Sequence, residues 1–189
     1  MTSTRIASTL ALLACCSLAA PVQAEMAAYM SVKAQKQGQI QGSVIQKGRE
    51  GKIMVIAIDH FMTSPTDAAS GQPTGKHMHK PLLITKEVDK SSPQLHASFA
   101  TNENLPEVQI QFWAPNIKAA VGVGNEYQYY TVTLNNARIT SVRHVMPNMK
   151  NPELQKYAAY EELALVYQKI TWTWTDGGIT FSDDWEARF

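Results

Sequence analysis

Residues 52–62 (KIMVIAIDHFM) constrain this chain more than any other stretch. Apolar side chains fall on both alternating faces, Ile53, Val55 and Ala57 on one and Met54, Ile56 and Ile58 on the other. A run this short, rich in β-branched residues and bounded by Gly51 and Pro65, reads as a strand buried on both sides. The polar stretch 63–81 follows, with Pro65, Gly71, Pro73, Gly75 and Pro81 and no periodicity. Loops of that length inside a compact domain are usually functional or disordered.

Period two dominates elsewhere. Met30, Val32 and Ala34 share a face, as do Ile40, Gly42 and Val44, and LLITK (82–86) reads as a further strand. In EVQIQFW (107–113) Val108, Ile110 and Phe112 point inward and Gln109, Gln111 and Trp113 outward. YQYYTVTL (127–134) is strand by composition, Asn135 and Asn136 form a turn pair, and residues 137–146 make the next strand. Residues 152–174 read as a loop or helical turn giving way to a strand near residue 161. Asp176-Gly177-Gly178 is a hairpin turn into ITFSDDW. Two glycines in KGREG (47–51) are able to take positive φ in another hairpin. One short helix starts at Ser91-Ser92-Pro93, with a hydroxyl to cap free N–H groups and a proline tolerated in the first turn. Leu95 and Phe99 pack on the sheet, and Asn102 and Asn104 mark the stop. Half-buried strands of this kind make an antiparallel sheet with one face on a core, in a single domain.

The first 24 residues are not fold. Arg5, an apolar segment from Ile6 to Ala20 and Val22-Gln23-Ala24 describe a secretory signal cleaved before Glu25, giving a signal at 1–24 and a domain at 25–189. The apolar run is shorter than the ~20 residues a membrane span needs. Leu12-Leu13-Ala14-Cys15 fits a lipoprotein box poorly at Leu13. Both cysteines, Cys15 and Cys16, lie in this segment, so the remaining chain has neither disulfide nor thiolate chemistry. It carries 16 basic and 16 acidic residues, a balance that argues against a nucleic-acid or membrane-surface partner.

Catalytic patterns are weak. Asp59 and His60 are adjacent on a strand and point to opposite faces, and Glu161 and Glu162 fail as an acid/base pair for the same reason. No nucleophile elbow is present, and Gly122-Val123-Gly124 lacks the third glycine and the strand-to-helix setting of a phosphate loop. His77-Met78-His79 puts two imidazoles on one strand face. No nearby carboxylate or thiolate completes a set of three or four, and Lys76 and Lys80 repel a cation, so no metal and no cofactor are expected. Trp113, Trp172, Trp174 and Trp185 read as cross-strand core or interface aromatics rather than a sugar or base platform.

Five stretches carry a family resemblance: GSVIQKGREGKIMVIAIDH, SPTDAASGQPTGKHMHKPLLITKEVDKSSPQL, NENLPEVQIQFW, HVMPNMKNPELQKYAAYEEL and YQKITWTWTDGGITFSDDW. In order from Tyr29 to Trp185 they resemble the Hcp family, the tube proteins of type VI secretion. The resemblance implies a mainly β fold, an antiparallel β-barrel of two packed sheets with one flanking short α-helix. It also implies a non-enzymatic hexameric ring, rings stacked into a conduit, effectors in the lumen and a long loop reaching the next ring. Subunit-interface residues are then expected in the two loops: Lys47, Gly48, Arg49, Glu50 and Gly51, and Ser64, Pro65, Asp67, Gly71, Pro73, Gly75, His77 and His79. Other partners would be secretion-apparatus components and effectors. Typical members resemble the segment from Met26 onward and carry no signal. A start at Met26 would give a cytoplasmic subunit secreted through the type VI apparatus, whereas a genuine signal would give an exported protein. The alternative role is therefore a periplasmic or extracellular binding protein derived from the same fold.

Overall fold

A computed structural model of the chain describes residues 26–115 and 126–185. The signal-like segment and the glycines at 122–124 lie outside the described residues. Among the described residues eleven strands and one helix follow in order: β1 (Ala27–Ala34), β2 (Gly38–Ile40), β3 (Ile53–Asp59), β4 (Met62–Thr63), β5 (Met78–His79), β6 (Leu82–Glu87), α1 (Ser92–Ala100), β7 (Leu105–Pro115), β8 (Glu126–Val145), β9 (Tyr160–Val166), β10 (Lys169–Trp174) and β11 (Ile179–Asp184). All strand pairings are antiparallel. The order β8-β7-β1-β3-β6-β9 closes on itself through β8–β9, making a six-stranded barrel with β10 and β11 added alongside β8. Closure removes the edges that an open sheet would expose.

Period-two patterning delivers this core as expected. Met30, Val32, Ile53, Ile84, Val108, Ile110, Leu134 and Leu163 are all sealed inside, with Phe112 and Trp172 packed against them. The boundary expected near residue 161 falls at Tyr160.

The long strand β8 differs from the sequence reading. Asn135 and Asn136 do not turn the chain back but bend one continuous strand. It pairs with β10 up to Asn135 and with β7 up to Ala137; from Arg138 it pairs with β9. Asn136 takes φ 49°, a left-handed conformation that asparagine tolerates. Its amide donates to Gln168 Oε1 at 2.7 Å, which fixes the bend to the β9–β10 connection. That bend lets a single strand serve both the barrel and the added hairpin.

Strand β3 also differs. Ile53 and Val55 are buried, but Met54 and Ile56 are 40% and 55% exposed, so the strand is covered on one face only. A register shift between Val55 and Ala57 breaks its alternation. The sequence shows an apolar outer face, and among the described residues it stays largely uncovered.

Helix α1 buries Leu95, Ser92 and Ser98, while Phe99 stays exposed instead of docking. Pro93 sits in its first turn as expected. Ser91, the residue before the helix, has helical φ and ψ and makes no side-chain cap; its hydroxyl donates to Asp89 instead. Ser92 Oγ accepts from the Asp89 N–H at 3.1 Å. Asn102, at φ 50°, follows the helix end.

Candidate functional site

The Lys47–Gly51 loop is a hairpin tip. Gly48 and Gly51 take φ 81° and 72°, and the Gly42 N–H donates to Gly51 O at 2.7 Å. Lys47, Gly48 and Glu50 are exposed. Arg49 turns inward. Its guanidinium carbon lies 4.9 Å from the Tyr29 ring centroid and 4.6 Å from that of Trp113, and Nη2 is 2.6 Å from Glu126 Oε2. A planar, weakly hydrated cation suits such an aromatic setting. In the single chain Arg49 therefore ties the loop to its own barrel.

The 63–81 stretch is a self-bonded hairpin rather than a structureless arm. Strands β4 and β5 form its base, and a bridge between Thr66 and Pro73 continues it. At the tip, the Asp67 carboxylate accepts from Ala69 N and Ser70 N, at 3.1 and 2.7 Å, and the Asp67 N–H donates to Gln72 O at 2.8 Å. The Ser70 hydroxyl, donating at 2.8 Å, and then the Ser70 and Ala69 N–H groups hold the Asp67 carboxyl below its usual range. Ser64, Asp67, Gly71, Pro73 and Gly75 are exposed and Pro65 half-buried.

His77 and His79 sit at the hairpin base, and the structure brings them together with groups that the sequence separates widely. Both Nε2 atoms bond one oxygen, Oδ2 of Asp183 on β11, His79 at 2.6 Å. His79 Nδ1 lies 2.7 Å from the Tyr167 hydroxyl, which is also 2.7 Å from His60 Nε2. Trp172 and Trp185 flank His79, with ring centroids 6.2 and 5.2 Å away. Burial pushes the Asp183 carboxyl up, but hydrogen bonds from both histidines outweigh it and hold the group below the carboxylate range. Burial and then the neighbouring His79 lower His60. Burial and the Asp183 charge push Tyr167 up. The expectation that no carboxylate joins the two histidines is thus overturned: Asp183 arrives from the C-terminal hairpin.

A second polar cluster went unseen in the sequence. Lys86 Nζ, fully buried, lies 3.1 Å from Glu161 Oε2, 3.0 Å from Asp89 Oδ1 and 3.0 Å from Ser92 Oγ, and it also donates to Glu87 O. His96 and His144 approach the other Glu161 oxygen at 3.0 and 3.5 Å. Three ligand-type groups meet there, but an ammonium already neutralises the carboxylate. Its neighbour Glu162 faces the opposite way and pairs with Arg143 at 2.8 Å, as strand alternation requires.

On the outward face of the barrel β3 and β6 leave Met54, Ile56 and Leu83 (46%) exposed, with Thr85 and Glu87 alternating with Leu83. A hollow of about 740 Å³ opens beside Met54 and Ile56, lined also by Met26, Glu87, Lys156 and Tyr157. Among the described residues no helix is long and apolar enough to cross a membrane.

These features define a class: a small closed antiparallel barrel with a self-bonded hairpin standing out from it and an apolar strand face left open. The family model for the type VI secretion system effector Hcp matches residues 29–174, and the chain belongs to the Hcp family. It is 37% identical over 169 residues to the "Major exported protein" of Pseudomonas aeruginosa, covering 85% of this chain and 95% of that one. Among solved structures, Hcp1 from the E. coli EAEC 042 pathovar matches with TM-score 0.73 and 34% identity, covering 85% of this chain and 99% of the other. The secreted protein Hcp3 from Pseudomonas aeruginosa matches with TM-score 0.66 and 30% identity, covering 86% and 100%.

Proposed function

We propose that this chain is a non-enzymatic subunit of a hexameric ring, that rings stack into a conduit, and that effectors travel in the lumen. The open apolar face formed by Met54, Ile56 and Leu83 carries the reading. Large apolar side chains grouped on an outer strand face mark a partner surface, and a second copy of the chain satisfies it. A lateral contact between different patches closes into a ring, and the same type of contact along the axis continues without end. The tip from Ser64 to Gly75 is suited to the axial contact, and Lys47, Gly48, Glu50 and Gly51, in the loop before the other end of β3, offer a second contact surface. Here His77 and His79 anchor the hairpin and Arg49 anchors the second loop, so these three support the contact surface from behind. Family membership supports secretion as the route, as the name of the Pseudomonas aeruginosa relative states for that protein.

The signal-like segment at 1–24 favours a second reading, an exported protein that works as a binding module on the same barrel, with 25–189 as the mature domain. A charge placed on the apolar face separates the two. Ile56→Glu places a carboxylate on the lateral face and is expected to yield folded monomers from rings. Unchanged assembly in Ile56→Glu would remove the lateral face from the account.

A further inference from the structure

We infer that His77, His79 and Asp183 form a binding site for a divalent transition-metal cation of the zinc type. Two imidazole nitrogens and one carboxylate oxygen converge, all within 4.8 Å of one another. Two nitrogen donors and one oxygen donor are a ligand set that zinc accepts, with a fourth position left for water. The site is closed behind and open in front: the side chains of His79 and Asp183 are 3% and 13% exposed, that of His77 35%. The half-exposed imidazole marks the way in.

The outer contacts favour the same assignment. A metal-binding histidine usually uses its second nitrogen to hold a fixed partner, and His79 Nδ1 holds the Tyr167 hydroxyl at 2.7 Å. That hydroxyl has one proton and two nitrogen neighbours, His79 Nδ1 and His60 Nε2, so the three groups form a reversible chain. Without a cation, His79 donates from Nε2 to Asp183, Tyr167 donates to His79 Nδ1, and His60 donates from Nε2 to Tyr167. With a cation on Nε2, His79 loses that proton to solvent and carries its proton on Nδ1. It then donates to Tyr167, Tyr167 donates to His60 Nε2, and His60 takes a proton from solvent on Nδ1. The half-exposed His77 likewise gives its Nε2 proton to solvent and takes one on Nδ1, so two protons leave, two enter, and no buried group in the chain loses a partner. The lysines that the sequence sets against a cation are partly accounted for: the Lys76 ammonium is directed to the Trp185 carbonyl, 3.4 Å away, and lies 5.9 Å from that indole ring. The cation would staple the base of the projecting hairpin to β11.

Titration of the chelator-treated protein with Zn²⁺ alone, against a chromophoric competitor, tests the site. One Zn²⁺ per chain is expected. His77→Gln and Asp183→Asn are expected to abolish binding, and His96→Gln, in the Glu161 cluster, to leave it unchanged. Tyr167→Phe keeps all three ligands but loses the hydroxyl, so affinity should fall on the order of 10–100-fold. Should Asp183→Asn fail to fold, His77→Gln, at a half-exposed position, carries the test. Absence of Zn²⁺ binding by the unaltered protein, or undiminished binding by His77→Gln, overturns the assignment.

Discussion

The ammonium of Lys86 lies 3.1 Å from Glu161 Oε2, with their side chains 0% and 1% exposed. Taking Lys86 away leaves Glu161 charged and dry, which costs about 3–5 kcal/mol, whereas replacing both with apolar residues of similar volume is close to neutral. Lys86→Met is therefore expected to lower the urea midpoint sharply, and Lys86→Met with Glu161→Leu to recover most of the loss. Equal destabilisation by the single and double changes would refute a paired interior.

The same cluster sets an acid limit. Burial pushes the carboxyls of Asp89 and Glu161 up, but hydrogen bonds from Ser91 or Ser92 and from Lys86 outweigh it, so both lie below the ordinary range in the folded chain. Groups lowered by folding contribute stability that is full above their unfolded pKa, about 4, and is lost as pH falls through the folded value. Denaturant midpoints should hold near neutrality and drop below about pH 4. Glu161→Gln should flatten that drop, and an unchanged slope would assign acid sensitivity to other carboxyls.

Gly42 tests the hairpin that carries Lys47–Gly51. A Cβ added there would overlap Lys52 O, a backbone atom that accepts the Val44 N–H at 3.2 Å within the hairpin and cannot move aside without disturbing it. Gly42→Ala is expected to cost about 1–3 kcal/mol, the range for overpacking. Thermal melting reads the loss, and a melting point equal to that of the parent would show that this approach is looser than described.

Arg49 is expected to matter to the single chain. Arg49→Ala removes two aromatic contacts and the 2.6 Å pair with Glu126, for a loss of about 2 kcal/mol. Arg49→Lys should restore little, because an ammonium does not lie flat between rings. Full stability in Arg49→Ala with a loss of assembly would instead put this side chain on a neighbour.

Much of the barrel was legible because period two is a direct consequence of strand geometry. Val108, Ile110 and Phe112 announced their face, and Gly48 and Gly51 announced a turn that needs positive φ. Asn135-Asn136 misled, since a residue that tolerates φ 49° serves a bend in one strand as readily as a hairpin. Met54 and Ile56 showed that β3 is apolar on both faces, but pattern alone does not say what covers the second. The His–Asp–Tyr chain was invisible for another reason: Asp183 is 104 residues from His79, and only closure of the sheet brings them to 2.6 Å. Lys86, on an ordinary-looking strand, gave no sign that it would be sealed inside.

The mass of the purified protein in solution, by native mass spectrometry or light scattering, bears most directly on the central claim that this barrel works by docking copies of itself. A hexamer that persists on dilution to micromolar concentration is predicted, with Ile56→Glu reduced to single chains. A lone chain at the highest concentration reached would contradict the account.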